Sequence, residues 1–333
     1  MKKLYDSLEG GSVERQNKKK LTVKLIYATI ILIACLVVAL LITFTVSFIK
    51  NRNPAPSEEN SDTDDTSISY VTKQVDTSSL HSGSLILVNK NYEYIFADNP
   101  DVVSIPTGNK YGLRDNKLYA NPTALAAFND MMDDLYLNVK DANIVLMTAY
   151  RSPEAQNALN NGTSAGFSDF HTGMSFELKD GDTWAMVNAS SLNGKYDWLY
   201  KNAHKYGFIV RYPDDIPESS TGKDAGKSFS DITGVEDFAN VFRYVGIVHA
   251  SYIYQNNLCL EEYLELIKTS HSSTSPLSFK ATSNYDIYYF ESAGDTTDIQ
   301  VPSKYSYEIS GDNKGGYIVT VNKSKVIKSS ETE

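Results

Sequence analysis

Residues 166–178 read Gly-Phe-Ser-Asp-Phe-His-Thr-Gly-Met-Ser-Phe-Glu-Leu, and residues 233–246 read Thr-Gly-Val-Glu-Asp-Phe-Ala-Asn-Val-Phe-Arg-Tyr-Val-Gly. The first stretch crosses from a polar loop into a strand. Side chains alternate along a strand, so Met174, Phe176 and Leu178 face one way and Ser175 and Glu177 the other. His171 and Asp169 precede them in the loop. A catalytic zinc needs about three protein ligands and one open position for water. His171 and Glu177 would supply two, with Asp169 the nearby candidate for a third. In the second stretch neither Phe238 nor Val241 can accept a proton or bind a metal.

Outward from these stretches the chain is well punctuated. Residues 144–149 form an apolar strand that delivers Tyr150-Arg151-Ser152, and Ser152-Pro153 opens a helix with Gln156 in its first turns. A guanidinium at a helix start suits an oxyanion or a carboxylate. Asn121-Pro122 opens another helix, with Leu125, Phe128, Met132 and Leu135 as its buried face. Further helices are expected over 197–205, 246–257 and 260–268, and a buried strand over 85–88. His81, His204 and His249 carry no ligand pattern and are read as surface or hydrogen-bonded residues.

The two opening stretches, together with Tyr150-Arg151-Ser152…Gln156, Trp198-Leu199…Asn202-Ala203 and Tyr206-Gly207-Phe208…Arg211-Tyr212-Pro213, resemble the D-alanyl-D-alanine carboxypeptidases of the VanY kind across about residues 80–268. That family reads roughly S-E-H-Q-T-G-x-x-x-D in the first segment and T-G-x-x-x-E-P-W-H-F-R-Y-V-G in the second. The frame fits without a gap, but the chemistry does not. The family's first zinc His position holds Phe170, its zinc Asp position Glu177, its general-base Glu position Phe238, and its second zinc His position Val241. The resemblance implies an α+β fold, a small antiparallel sheet with packed helices. It also implies a substrate site at Arg151, Ser152, Gln156, Ser168, Thr172 and Tyr212, with Arg211 a further lining candidate. No catalytic set is expected intact beyond Arg151, and no metal or other cofactor is expected. The expected role is a catalytically inactive, carboxypeptidase-like protein that binds a peptidoglycan stem peptide or another wall protein. The alternative is an active zinc carboxypeptidase with a rearranged site built on His171 and Glu177.

At 333 residues, 41% of them hydrophobic, the chain can fold one or two domains. A net charge of −10 argues against nucleic acid as a partner. Cys35 and Cys259 are too differently placed to pair. The run from Leu25 to Ile49 has no charged residue and would span about 37 Å as a helix, more than the hydrocarbon core of roughly 30 Å. It predicts a transmembrane signal-anchor, with the Lys-rich residues 1–24 cytoplasmic and the main domain extracellular. Residues 50–70 read as a disordered linker, 71–270 as the carboxypeptidase-like domain, and 271–333 as a C-terminal β-rich module and tail. Within the module, residues 305–310 and 317–321 alternate and flank a Gly-rich turn, which predicts a hairpin.

Overall fold

The structure is a computed structural model and describes residues 68–187, 192–236 and 238–327. The expected tail 1–24, the apolar run 25–49 and nearly all of the expected linker lie outside the described residues. The expectation of a single-pass membrane protein is corrected: among the described residues no helix is long and apolar enough to cross a membrane, and the stretch on which that expectation rested is not among them.

The described residues begin with strand β1 (Tyr70–Asp76), followed by the short strands β2 (Val103–Ser104), β3 (Gly112–Leu113) and β4 (Tyr119–Ala120). Helix α1 (Pro122–Asn138) starts where the sequence placed it. The Asn121 side chain accepts from the Thr123 and Ala124 N–H groups at 3.1 and 3.2 Å, and Pro122 takes the first helical position. Its buried face is Ala124, Leu125, Phe128, Met131, Met132 and Leu135. Strand β5 (Ile144–Thr148) leads into helix α2 (Pro153–Leu159), and strand β6 (Ser175–Asp180) follows a single 3-10 turn at Asp169–Thr172. Then come α3 (Asp197–Asn202), β7 (Phe208–Val210), α4 (Phe229–Thr233), β8 (Val241–Tyr244), α5 (Ile247–Asn256) and α6 (Leu260–Ser270).

The central sheet has five strands in the order β3-β5-β6-β8-β7, antiparallel except for the β3–β5 pair. Helix α1 covers one face, and Phe128 stacks on Phe176 of β6 with centroids 4.4 Å apart. A second apolar core gathers Val248, Ile253, Tyr263, Leu264 and Ile267 of α5 and α6 with Leu85 and Leu87. Beyond it lie β9 (Leu277–Lys280), β10 (Asn284–Glu291), β11 (Thr296–Pro302), β12 (Tyr305–Gly311) and β13 (Gly316–Val326). The expected hairpin is β12–β13, in a sheet ordered β12-β13-β10-β9. Strand β1 pairs with β11 along its whole length.

The expected strand at residues 85–88 requires correction. Its side chains are buried, but it joins no sheet. Its backbone groups are met by other partners. Leu85 N–H donates to Ser310 Oγ at 3.0 Å and Leu87 N–H to the Asp312 carbonyl at 3.1 Å. The carbonyls of Ser84 and Ile86 accept from Arg243 Nη2 at 3.2 and 3.1 Å, and that of Val88 accepts from Arg211 Nη2 at 3.4 Å. Guanidinium groups thus do the work a neighbouring strand would do, and every buried polar group still needs a partner.

Candidate functional site

The two opening stretches meet as adjacent antiparallel strands. Ser175 lies opposite Arg243, Phe176 opposite Phe242, and Glu177 opposite Val241. Glu177 and Val241, two of the positions that carry zinc ligands in the resembled family, are therefore direct cross-strand neighbours. Phe170 is delivered by the 3-10 turn, which Gly173 closes in the left-handed conformation at φ 67°. A Cβ at residue 173 would lie 3.0 Å from Asn121 N and from Val102 Cγ1, so this turn needs glycine.

Arg151 reaches the same place from the end of β5. Its Nη1 donates to Gln156 Oε1 at 2.8 Å, and its guanidinium carbon lies 4.5 Å from the Phe170 ring centroid. Gln156 is fully buried, and its amide donates to the Thr163 carbonyl at 2.8 Å and to Asn161 Oδ1 at 3.2 Å. It thus fixes Arg151 rather than facing a ligand. Glu177 is half-buried. Burial pushes its carboxyl above the usual range, against the pull of Arg151, Lys179 and Arg114. Beside it, Asn240 Nδ2 donates to the Leu178 carbonyl at 3.0 Å, and Asn240 Oδ1 is buried without a hydrogen-bond partner.

The polar residues that could have rebuilt a metal site are engaged elsewhere. His171 is buried, with Nδ1 2.6 Å from the Arg151 carbonyl oxygen and Nε2 accepting from Gly166 N–H at 3.1 Å. This pattern fixes one neutral tautomer, and burial lowers its pKa. Asp169 accepts from Arg243 Nη1 at 2.7 Å and from the Ser175 hydroxyl. Arg211 Nε comes within 3.4 Å of the same carboxylate, too poorly aligned for a hydrogen bond. Burial opposes the charge on Asp169, but the two arginines prevail and hold its pKa below the usual range. The residues present do not fit a catalytic zinc. Phe170 and Val241 offer hydrocarbon, Phe238 offers no base, and the lone pair of His171 is already committed.

The expected substrate residues separate into two groups. Arg151 and Tyr212 stay near the degenerate metal positions: Arg151 meets Phe170 and Glu177, and Tyr212 lies ring to ring with Phe238 at 6.3 Å. The others serve local structure. The Ser152 hydroxyl caps α2 by accepting from Ala155 N–H at 3.2 Å. The Thr172 hydroxyl donates to the Asp169 carbonyl at 2.7 Å and accepts from Met174 N–H at 3.1 Å. Ser168 is buried at the start of the 3-10 turn. Arg211 is corrected from a lining candidate to a buried strut: its Nη1 and Nη2 donate to the two carboxylate oxygens of Glu261 at 3.0 and 2.8 Å. Sequence reasoning missed the Asp169–Arg243–Arg211–Glu261 network. Its only signal was the recurrence of Arg and acid residues in otherwise apolar segments.

The family model VanY, D-alanyl-D-alanine carboxypeptidase, matches residues 117–225. A D-alanyl-D-alanine carboxypeptidase of Enterococcus faecium is 30% identical over 284 residues, covering 81% of this chain and 84% of that one. The putative carboxypeptidase YodJ of Bacillus subtilis is 29% identical over 202 residues, covering 55% and 68%. Among solved structures, the vancomycin resistance D,D-dipeptidase VanXYg in complex with a D-Ala-D-Ala phosphinate analogue superposes with a TM-score of 0.61. It is 25% identical and covers 77% of this chain and all of its own. The fold and the paired site strands define a carboxypeptidase-like protein of the cell wall. This chain belongs to the D-alanyl-D-alanine carboxypeptidase family.

Proposed function

We propose that this protein binds a peptidoglycan stem peptide ending in D-Ala-D-Ala and does not hydrolyse it. The observation that carries this reading is the pairing of Arg151 with Phe170. Where the family places a zinc ligand, an aromatic ring lies 4.5 Å under a guanidinium that Gln156 holds in place. A fixed guanidinium can hold a terminal carboxylate through charge-assisted hydrogen bonds without a metal. Hydrolysis needs an activated water and a proton acceptor, and neither Phe170, Val241 nor Phe238 can supply either. Support for the ligand comes from the relatives, which are D-alanyl-D-alanine carboxypeptidases, and from the solved dipeptidase with its D-Ala-D-Ala analogue. Without a metal anchor the affinity is expected to be weak, on the order of micromolar to millimolar.

The test is a titration of the folded protein with a stem pentapeptide, followed by NMR, beside an assay for released D-alanine. Binding that is lost in Arg151→Ala, with no D-alanine released with or without added zinc, is the expected result. Zinc-dependent release by the unaltered protein would overturn the reading and favour the active alternative. That alternative requires His171 to leave both of its present hydrogen bonds.

A further inference from the structure

The edge strand β7 and helix α5 border a cavity of about 250 Å³ that the peptide-binding reading does not use. Its walls include the apolar side chains of Ala203, Phe208, Val210, Ile253 and Leu258, and no Asp, Glu, Lys or Arg lines it. An apolar cavity of about 150 Å³ is enough to bind benzene, so this one has room for a single substituted ring. The Tyr200 hydroxyl, also at the wall, already donates to the Val187 and Ala239 carbonyls at 2.8 and 2.9 Å. His204 is different: its Nδ1 is buried and, among the described residues, has no hydrogen-bond partner. Burial lowers its pKa, and Lys205 acts in the same direction, so the ring is neutral at pH 7. A buried polar atom without a partner is costly, and a ligand that supplies one removes that cost. The His204 ring lies flat against Tyr254, with centroids 4.0 Å apart and planes 7° from parallel. Tyr254 is 49% exposed, and among the described residues its hydroxyl has no hydrogen-bond partner, so its ring can turn outward and admit a molecule.

We infer that this cavity binds a neutral phenol-class molecule, one aromatic ring bearing a hydroxyl, with the ring among the apolar side chains and the hydroxyl on His204 Nδ1. The volume limits the ligand to about one ring. The uncharged lining disfavours acids and amines, which would lose their hydration without gaining a counter-charge. A hydroxyl both donates and accepts, so it complements whichever neutral tautomer His204 adopts. The inference is independent of the peptide-binding reading, because neither Arg151, Gln156, Phe170 nor Glu177 lines this cavity.

The experiment compares phenol with toluene, two rings of similar size that differ in the hydroxyl. Each is titrated into the full chain and into His204→Phe, which keeps a ring against Tyr254 but removes the nitrogen. NMR follows the Ile253 and Leu258 methyl groups and, in the unaltered protein, the His204 ring nitrogens. Both compounds are expected to shift the methyl signals, and only phenol to shift Nδ1. In His204→Phe the ratio of phenol to toluene affinity should fall roughly ten-fold, the scale of one hydrogen bond, with toluene unchanged. Methyl signals that do not respond to millimolar phenol would overturn the site. An Nδ1 shift as large with toluene as with phenol would overturn the assigned ligand class even if His204→Phe does not fold, and so would an unchanged affinity ratio in the folded variant.

Discussion

Lowering the pH from 7 to 5 is expected to cost the fold about 2 kcal/mol through His249 alone. His249 lies on α5 at 4% exposure, with Nδ1 2.6 Å from the Tyr263 hydroxyl and Nε2 3.0 Å from the Thr320 hydroxyl. A neutral imidazole offers one donor and one acceptor, and two hydroxyl groups can complement either tautomer. The protonated ring would carry a charge into a site without a carboxylate, and burial pushes its pKa down to about 3. In the unfolded chain the ordinary value is about 6.5. Below that pH the unfolded chain takes up a proton that the native state refuses. Stability is therefore full above about 6.5 and falls as the pH drops, by about 1.4 kcal/mol per pH unit. From 6.5 to 5 this amounts to about 2 kcal/mol. Asp169, whose native pKa is depressed, stays ionised in both states over this range and adds nothing to the slope. His171 and His204, also depressed by burial, add slopes of their own, so the comparison must be between variants. His249→Gln keeps a donor and an acceptor but cannot titrate. It should be less stable at pH 7, yet lose about 2 kcal/mol less between pH 7 and 5. Urea unfolding at pH 7, 6 and 5 reads both quantities. A variant whose stability falls with pH as steeply as the parent's would refute the claim that this ring is held neutral.

Three further outcomes follow from the same geometry. Asp169→Ala leaves the buried Arg243 guanidinium without a carboxylate, while Arg211 keeps Glu261, and should cost about 3–5 kcal/mol, a fall in Tm on the order of 10 °C; a loss under about 1 kcal/mol would mean that solvent reaches the pair. Glu177→Gln should raise the Tm at pH 7, because burial opposes the charged form, and the gain should fade as the pH falls through the raised pKa; a lower Tm at pH 7 would show that attraction to Arg151 outweighs burial. Gly311→Ala would drive a methyl group into the Leu80 carbonyl and should cost about 1–3 kcal/mol in urea unfolding, whereas an unchanged midpoint would mean that this contact yields freely.

What the sequence could reveal was local. Asn121-Pro122 and Ser152-Pro153 marked two helix starts because a cap acts within three residues of itself. The motif frame placed Glu177 and Val241 at zinc-ligand positions of the resembled family, but their pairing across two strands came only from the structure. The fate of Asp169 was not legible, because its partners lie at 211 and 243 and nothing near 169 announces them. The same is true of His171, whose partners are backbone groups that carry no sequence signature. Residues 85–88 were misread as a strand because a buried extended segment has the same composition whether its carbonyls meet a strand or an arginine. Ser152 and Thr172, expected from the resemblance to line a substrate site, spend their hydroxyl groups on caps and turns.

The ladder between β1 and β11, which sets Tyr70 beside Pro302, bears on how the chain comes to be folded at all. Synthesis proceeds from the amino terminus, so β1 leaves the ribosome long before the strand that completes it. In that interval it is an exposed edge carrying Tyr70 and Val71 with its ladder unmade. Closing so long a loop comes late, after the more local α1 and α5–α6 contacts can form. A chain interrupted before Thr296 would keep its central sheet sequence intact and yet present β1 as a sticky strand, open to pairing with other chains.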